Sequence, residues 1–109
     1  MVTLVLKTIG STIQATIASN DVAARWGGEE FVILSFDVGQ ADVLEQAEKI
    51  RIAVENLEFS EIPGMHTSIS IGVGILKESE SFLRLFERTD AALYQAKNNG
   101  RNQVSFAED

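Results

Sequence analysis

The 109-residue sequence has no cysteine, one proline and a single histidine, His66. The absence of cysteine excludes disulfide bonds, thiolate catalysis and cysteine-bound zinc, and one histidine cannot build a histidine metal cage. No apolar run approaches the roughly 20 residues of a membrane span, and no positively charged start precedes an apolar signal segment. These absences favour a single cytoplasmic domain, with tethering through a segment outside this sequence left open.

Positive charge is also scarce. The sequence has nine Lys and Arg and 16 Asp and Glu, which gives a net charge of −7. Binding to a polyanion needs clustered Lys and Arg, so this balance argues against a broad nucleic-acid or anionic-membrane face. Any anion that this chain binds must therefore be bound by a few Lys or Arg side chains at one place on the surface. The 45% hydrophobic and 23% charged residues are typical of one globular domain.

Two apolar runs separated by Gly27 and Gly28 predict a β-hairpin with arms at 22–25 and 30–36. Glycine reaches the positive φ values that tight hairpin turns need. The residues of the second arm are apolar at both odd and even positions, so both faces of the strand are apolar. We therefore expect it inside a sheet that is covered on both faces.

The turn of this hairpin also carries groups that suit a nucleotide. Gly27 and Gly28 leave backbone N–H groups open to a ligand, and Glu29 offers hard oxygen to Mg²⁺. An ordinary Gly-Gly turn with two solvated acids, Glu29 and Glu30, is the alternative that this local chemistry leaves open.

Helical periodicity predicts three helices, over 2–19, over 40–57 and from a cap within 79–81 to Gly100. In the second helix Glu45 faces Lys49 and Arg51 faces Glu55 at i,i+4. The predicted apolar face of the third helix consists of Phe82, Leu85, Phe86, Thr89, Leu93 and Ala96.

A strand is predicted over 66–75, with a face of small residues that favours close helix packing over direct ligand contact. A short last strand at 103–106 and a solvated tail at 107–109 complete the chain. Helices alternating with strands indicate an α/β sandwich with a mixed sheet.

Three motifs follow one another along the chain. The first is Gly27-Gly28-Glu29-Glu30-Phe31, preceded by Arg25-Trp26. The other two motifs are Ser68-Ile69-Ser70-Ile71-Gly72-Val73 and Asp90-Ala91-Ala92-Leu93-Tyr94-Gln95-Ala96-Lys97-Asn98-Asn99-Gly100-Arg101-Asn102. Together they resemble the GGDEF domain of the diguanylate cyclase family from about residue 4 to residue 106, with the signature in its Glu-for-Asp form and the preceding Arg-aromatic pair as in the family.

The resemblance implies a cyclase-like, ferredoxin-related α/β (α+β) sandwich, with a mixed antiparallel sheet and helices packed on it. It also implies condensation of two GTP molecules into cyclic di-GMP by a homodimer with Mg²⁺ or Mn²⁺, as a bacterial second-messenger signal. Glu29 then corresponds to the metal ligand and to the residue that helps deprotonate the reacting hydroxyl, and Gly27, Gly28 and Glu30 to its nucleotide-binding neighbours. The phosphate-binding cations match Lys97 and Arg101, whose alternative role is to balance the helix dipole. Arg25 fits a structural ion pair equally well.

The sequence departs from the family pattern in two places. The inhibitory product site is degenerate, because only Asp21 of its Arg-x-x-Asp motif is present, at 18–21. The family's first strand, which supplies a metal-binding aspartate, and the helix residues that read guanine have no counterpart. We expect two strand edges in mid-sheet to result, which the chain resolves by re-forming its sheet or by pairing or exchanging strands with a second copy.

Two functions follow from this comparison. The first is a diguanylate cyclase-type domain that is inactive as this truncated chain alone. The alternative is a non-catalytic remnant that binds nucleotide or serves as a protein-interaction module.

Overall fold

A computed structural model of the chain describes residues 2–16, 21–25 and 29–108, without the side chains of residues 2–6 and of Arg25. Its elements are α1 (Val2–Thr16), β1 (Val22–Arg25), β2 (Glu30–Ser35), α2 (Gln40–Glu55), β3 (Ser70–Ile75), α3 (Phe82–Asn98) and β4 (Val104–Phe106). The predicted order of helices and strands is confirmed. The predicted last residues of the first helix fall within 17–20, outside the described residues, and the strand predicted over 66–75 begins only at Ser70.

The four strands form one mixed sheet in the order β1-β2-β3-β4. The predicted hairpin is confirmed, since β1 and β2 are antiparallel, with Val22 opposite Leu34 and Arg25 opposite Phe31. The pairs β2–β3 and β3–β4 are parallel. As predicted, β2 is an inner strand, and its burial from Phe31 to Ser35 shows that both of its faces are covered.

The direct pairing of β2 with β3 settles how the middle of the sheet is closed. The two strands are in register from Glu30 opposite Ser70 to Ser35 opposite Ile75. Parallel strands can satisfy each other's backbone groups in this way, so no unpaired edge remains between them. Of the two outcomes predicted for these edges, the re-formed sheet is confirmed within the chain, and association with a second copy stays a prediction.

Helices α1 and α2 cover one face of the sheet. Val43, Ala47, Ile50 and Val54 of α2 are buried, as the predicted apolar stripe requires. They join a core cluster with residues of α1 and of the two inner strands, among them Ile9, Ile13, Phe31, Ile33, Ile71 and Val73. Helix α2 also carries the predicted i,i+4 pairs Glu45–Lys49 and Arg51–Glu55, each at 3.4 Å.

Helix α3 covers the other face and approaches β3 unusually closely. A Cβ atom at Gly72 would lie 2.5 Å from the Thr89 carbonyl oxygen and 2.6 Å from the Leu93 nitrogen, both in the α3 backbone. A Cβ atom at Gly74 would meet the Thr89 side chain. The small residues of β3 are therefore needed for helix packing, which confirms that interpretation of the predicted strand.

Of the two predictions for the N-terminus of α3, one is confirmed and one is wrong. Ser81 is the N-cap, and its hydroxyl accepts a hydrogen bond from the Arg84 nitrogen at 3.1 Å. Phe82, assigned to the apolar face, is 53% exposed. Gly74, one residue before the end of β3, lies against Leu85 of α3. The strand therefore ends before it can cover the first turn of α3, where Phe82 lies.

Arg88 is a buried charge that the apolar pattern of α3 did not reveal. Its guanidinium pairs with Glu80 at 2.8 Å and donates to the Ile75 carbonyl at 2.9 Å and to the Ala107 carbonyl at 2.7 Å. These partners satisfy the buried cation. They also hold Ala107, which is 4% exposed and donates to the Val73 carbonyl, so the predicted solvated tail is wrong at this residue.

The close approach of α3 predicts the effect of adding a single methyl group. Gly72→Ala should lower the free energy of unfolding by about 2–3 kcal/mol, because the new Cβ meets backbone atoms that cannot turn away. Gly10→Ala, in a helix where the added Cβ has no heavy atom within 4 Å, should be neutral or stabilising by up to about 1 kcal/mol. Urea denaturation measures both, and equal stabilities of the two variants would contradict the tight contact.

The ionisation of Glu80 makes the free energy of unfolding depend on pH. Hydrogen bonds from Arg88 lower the pKa of Glu80 from its ordinary value of 4.5 to about 2. The folded state thus favours the ionised carboxylate, and this stabilisation is present above pH 4.5 and lost as the pH falls toward 2. Urea denaturation between pH 7 and 2 should show Glu80→Gln less stable than the unmodified chain at pH 7 and less sensitive to pH below 4.5. The exposed-acid variant Glu78→Gln is the control, and a Glu80→Gln curve parallel to that of the unmodified chain would refute the assignment.

Candidate nucleotide-binding site

The signature turn leads directly into β2. Glu29 is exposed, and its carbonyl oxygen accepts a hydrogen bond of 2.8 Å from the backbone nitrogen of Ser70. This bond fixes the end of the turn to the start of the neighbouring strand. Gly27 and Gly28 and the side chain of Arg25 lie outside the described residues, so the nucleotide contacts predicted for the two glycines stay a prediction.

The second part of the site is the turn after α3. Gly100 has a φ of 115°, and the Arg101 nitrogen donates to the Ala96 carbonyl at 3.0 Å, so Gly100 ends the helix as predicted. Two further residues in the left-handed region follow, Arg101 with a φ of 61° and Asn102 with a φ of 49°. This turn carries the chain from the end of α3 toward β4.

Glu30 brings the two parts together. Lys97 Nζ lies 2.6 Å from Glu30 Oε1, and an Arg101 guanidinium nitrogen lies 4.0 Å from the same oxygen. The side chains of Glu30 and Lys97 are 23% and 30% exposed, so the pair is half-buried. The two cations predicted to bind phosphate therefore meet at the residue after Glu29, although about 70 residues separate them from it in the sequence.

The sheet register explains this meeting. Glu30 is opposite Ser70, and the alternation of a strand places Ser70 on the same face as Gly72 and Gly74. That face is the one that α3 covers. Glu30 thus lies on the α3 side of the sheet, where Lys97 from the last turn of the helix reaches it.

A shallow depression of about 350 Å³ opens at this point. Glu30 and Lys97 line it together with three residues of α3, namely Asp90, Leu93 and Tyr94. Sequence reasoning did not single out Asp90 or Tyr94 as site residues. Their spacing from Lys97 was the available signal, since positions i, i+4 and i+7 share one helical face.

Ser70 is a further residue that the sequence did not single out. It is 2% exposed, its backbone nitrogen binds the Glu29 carbonyl, and its hydroxyl accepts a hydrogen bond from the Asn102 nitrogen at 3.2 Å. One buried serine therefore connects the signature turn to the turn that carries Arg101. The sequence marked it only as part of a small-residue face.

The donor set fits a magnesium ion that a nucleotide helps to hold. Among residues 2–16, 21–25 and 29–108, no group of three or more His, Cys, Asp or Glu side chains could enclose a metal. Glu29 is nevertheless an exposed carboxylate, and Mg²⁺ in nucleotide sites is commonly bound by one or two carboxylates together with substrate phosphates. Glu30 is already paired with Lys97, which leaves Glu29 as the better candidate ligand.

Asp21, the remaining residue of the degenerate inhibitory motif, lies directly before β1 and is half-buried. The positions matching the motif's other residues fall within 17–20, outside the described residues. The expectation that the product, cyclic di-GMP, does not inhibit through this degenerate site stays a prediction.

Comparison with known proteins identifies the family. The family model described as "Diguanylate cyclase, GGDEF domain" matches residues 2–103. The chain belongs to the GGDEF domain family. The described residues also include no helix long and apolar enough to cross a membrane.

Individual relatives agree with this assignment. The chain is 41% identical over 100 residues to diguanylate cyclase DgcM of Escherichia coli K12, covering 92% of this chain and 24% of DgcM. It is 36% identical over 104 residues to the response regulator PleD of Caulobacter vibrioides, covering 92% of this chain and 23% of PleD. The chain thus spans about a quarter of the length of these relatives.

Solved structures show the same fold. The GGDEF domain of DgcB from Caulobacter crescentus, in complex with c-di-GMP, matches with a TM-score of 0.76 and 32% identity, over 97% of this chain and 64% of that one. The active GGEEF domain of a diguanylate cyclase from Vibrio cholerae matches with a TM-score of 0.72 and 26% identity, over 98% of this chain and 69% of that one. The predicted cyclase-like α/β fold is confirmed.

Proposed function

We propose that this chain is the part of a diguanylate cyclase domain that binds the phosphates and one metal ion of GTP. The observation that carries the proposal is the meeting of Lys97 and Arg101 at Glu30, beside the exposed Glu29. In a chain with a net charge of −7, two cations near one carboxylate, of which Lys97 lines a surface depression, are a suitable place for a triphosphate.

Each group has a distinct role in this proposal. Lys97 and Arg101 bind phosphate oxygens, and Glu30 keeps Lys97 near the depression when no nucleotide is bound. Glu29 offers its carboxylate to Mg²⁺, or to Mn²⁺, and accepts the proton of the reacting hydroxyl. Gly27 and Gly28 bring backbone N–H groups to the phosphates. The metal supplies neutralisation of the phosphate charge.

The proposed reaction of the complete domain joins two GTP molecules, one held by each of two facing subunits. The 3′-hydroxyl oxygen of one GTP forms a bond to the α-phosphorus of the other, and pyrophosphate leaves. Repeating the step in the opposite sense gives cyclic di-GMP and a second pyrophosphate. The protein's contribution is mainly positioning and charge neutralisation, which is the work that the residues of this site can do.

We propose further that the 109-residue chain alone binds GTP without turning it over. Its described residues enclose no three-ligand metal cluster, so Glu29 holds the metal with little help from the protein. The second candidate, a non-catalytic module that acts as an interaction surface, is favoured by the same observation. The two functions differ in whether nucleotide binds at all.

Removing the Glu29 carboxylate provides the test. Isothermal titration calorimetry of the chain with GTP and Mg²⁺ should detect binding, and Glu29→Ala should weaken it about tenfold, the effect of losing one charge-assisted ligand. Lys97→Ala should weaken binding by a similar factor. The matched controls are Glu45→Ala and Lys49→Ala, which remove an exposed pair of α2 and should leave the affinity unchanged.

Chromatography of the same mixtures for cyclic di-GMP separates the remaining outcomes. No product from the chain that binds GTP is the expected result. Turnover that disappears in Glu29→Ala would overturn the proposed inactivity and refute the remnant hypothesis. If neither GTP nor its magnesium complex binds, the nucleotide site itself is refuted and the interaction module is favoured.

A further inference from the structure

We infer that Arg51 and Glu55 of α2, acting through Asn102, are positioning residues that hold Arg101 at the nucleotide's phosphates. This inference rests on the proposed function, because it assigns a role to residues that support the same site from outside it. It starts from the unusual backbone of the turn after α3.

Arg101 and Asn102 are two consecutive non-glycine residues in the left-handed region, with φ values of 61° and 49°. Such a conformation is unfavourable for L-residues, although asparagine tolerates it better than most, and it persists only where surrounding contacts hold it. Strained backbone of this kind is concentrated at functional sites. The contacts that hold this turn are therefore informative.

The backbone of the turn is fixed at several successive groups. The Arg101 nitrogen donates to Ala96, and the Arg101 carbonyl accepts a hydrogen bond from the Gln103 side chain at 3.2 Å. The Asn102 nitrogen donates to the buried hydroxyl of Ser70 at 3.2 Å. These bonds leave the turn little freedom on the side of α3 and β3.

The Asn102 side chain connects the turn to α2. Its amide oxygen accepts a hydrogen bond of 3.1 Å from the Arg51 guanidinium, and its amide nitrogen donates to the Glu55 carboxylate. Arg51 is itself held by Glu48, whose carboxylate its Nε contacts at 2.5 Å, and it is only 17% exposed. Asn102 therefore uses both ends of its amide on a pair of charges that α2 keeps in place.

The contacts of Arg101 itself do not explain its position. Its side chain is 56% exposed, and its distance of 4.0 Å from Glu30 is at the outer limit of an ion pair. An exposed pair at that distance contributes little. The place from which the Arg101 guanidinium can reach a phosphate is set instead by the backbone of the turn, and so by Asn102 and its partners on α2.

The test compares Asn102 variants in GTP binding. Asn102→Ala and Asn102→Gly should each weaken GTP·Mg²⁺ binding about tenfold, because both remove the amide bridge to α2. Asn102→Gly is the decisive variant, since glycine adopts the positive φ without strain. If it binds as tightly as the unmodified chain, backbone conformation alone positions Arg101 and the inference is overturned.

A double-mutant cycle distinguishes positioning from general damage. In an Arg101→Ala background, Asn102→Gly should change GTP affinity less than twofold, since the residue through which it acts is gone. Additive losses would overturn the inference. Arg51→Lys, which keeps the charge but loses the planar fork, should weaken binding in parallel with Asn102→Gly.

Controls separate failure of this inference from failure of the proposed function. Asn56→Ala removes an exposed asparagine at the C-cap of α2 and should bind GTP as the unmodified chain does. If the unmodified chain binds GTP and the Asn102 and Arg51 variants bind equally well, only the inference is overturned. If the unmodified chain does not bind GTP, the proposed function is refuted and the inference is refuted with it.

Discussion

The close contact between β3 and α3 is the constraint on which the site depends. Gly72 allows the helix backbone, and Gly74 the Thr89 side chain, to lie where a larger residue would place its own side chain. The helix therefore runs close against the sheet, and its last turn ends beside the first residue of β2. Lys97 reaches Glu30 because of this approach, and the turn that follows brings Arg101 to the same carboxylate. The positions of Lys97 and Arg101 thus depend on two glycines in β3, the strand next to β2.

Charge balance gives Glu30 a role that differs from that of Glu29. In the absence of nucleotide, Glu30 neutralises Lys97 within a half-buried pair, so the cation does not remain unpaired. In the proposed function a phosphate shares or replaces that carboxylate, which would favour ligands with high local negative charge. Glu29 lies one residue earlier and is exposed, so its oxygens are available to a metal that accompanies such a ligand. The proposed function thus assigns different roles to the two adjacent acids of the signature.

Much of the fold could be predicted from patterns of spacing. The hairpin, the amphipathic α2, the Ser81 cap and the Gly100 stop each have a local physical signature in the sequence. Arg88 could not be predicted to be buried, because its partners Ile75 and Ala107 become neighbours only in the folded chain. The roles of Ser70 and Asn102 were hidden for the same reason, since they join elements distant in sequence. The resemblance paired Lys97 and Arg101 with the signature, but their meeting at Glu30 rather than Glu29 required the structure.

The most direct test of the account is to locate the metal–nucleotide complex on the folded chain. GTP with Mn²⁺ in place of Mg²⁺ broadens the NMR signals of nearby amides, which reports position without any need for turnover. The account predicts GTP-dependent broadening centred on Glu29 and Glu30, extending to Ser70, Lys97 and Arg101. Broadening centred instead on another acidic surface, such as Asp42 and Glu45 near the start of α2, or broadening by Mn²⁺ that GTP does not alter, would contradict it.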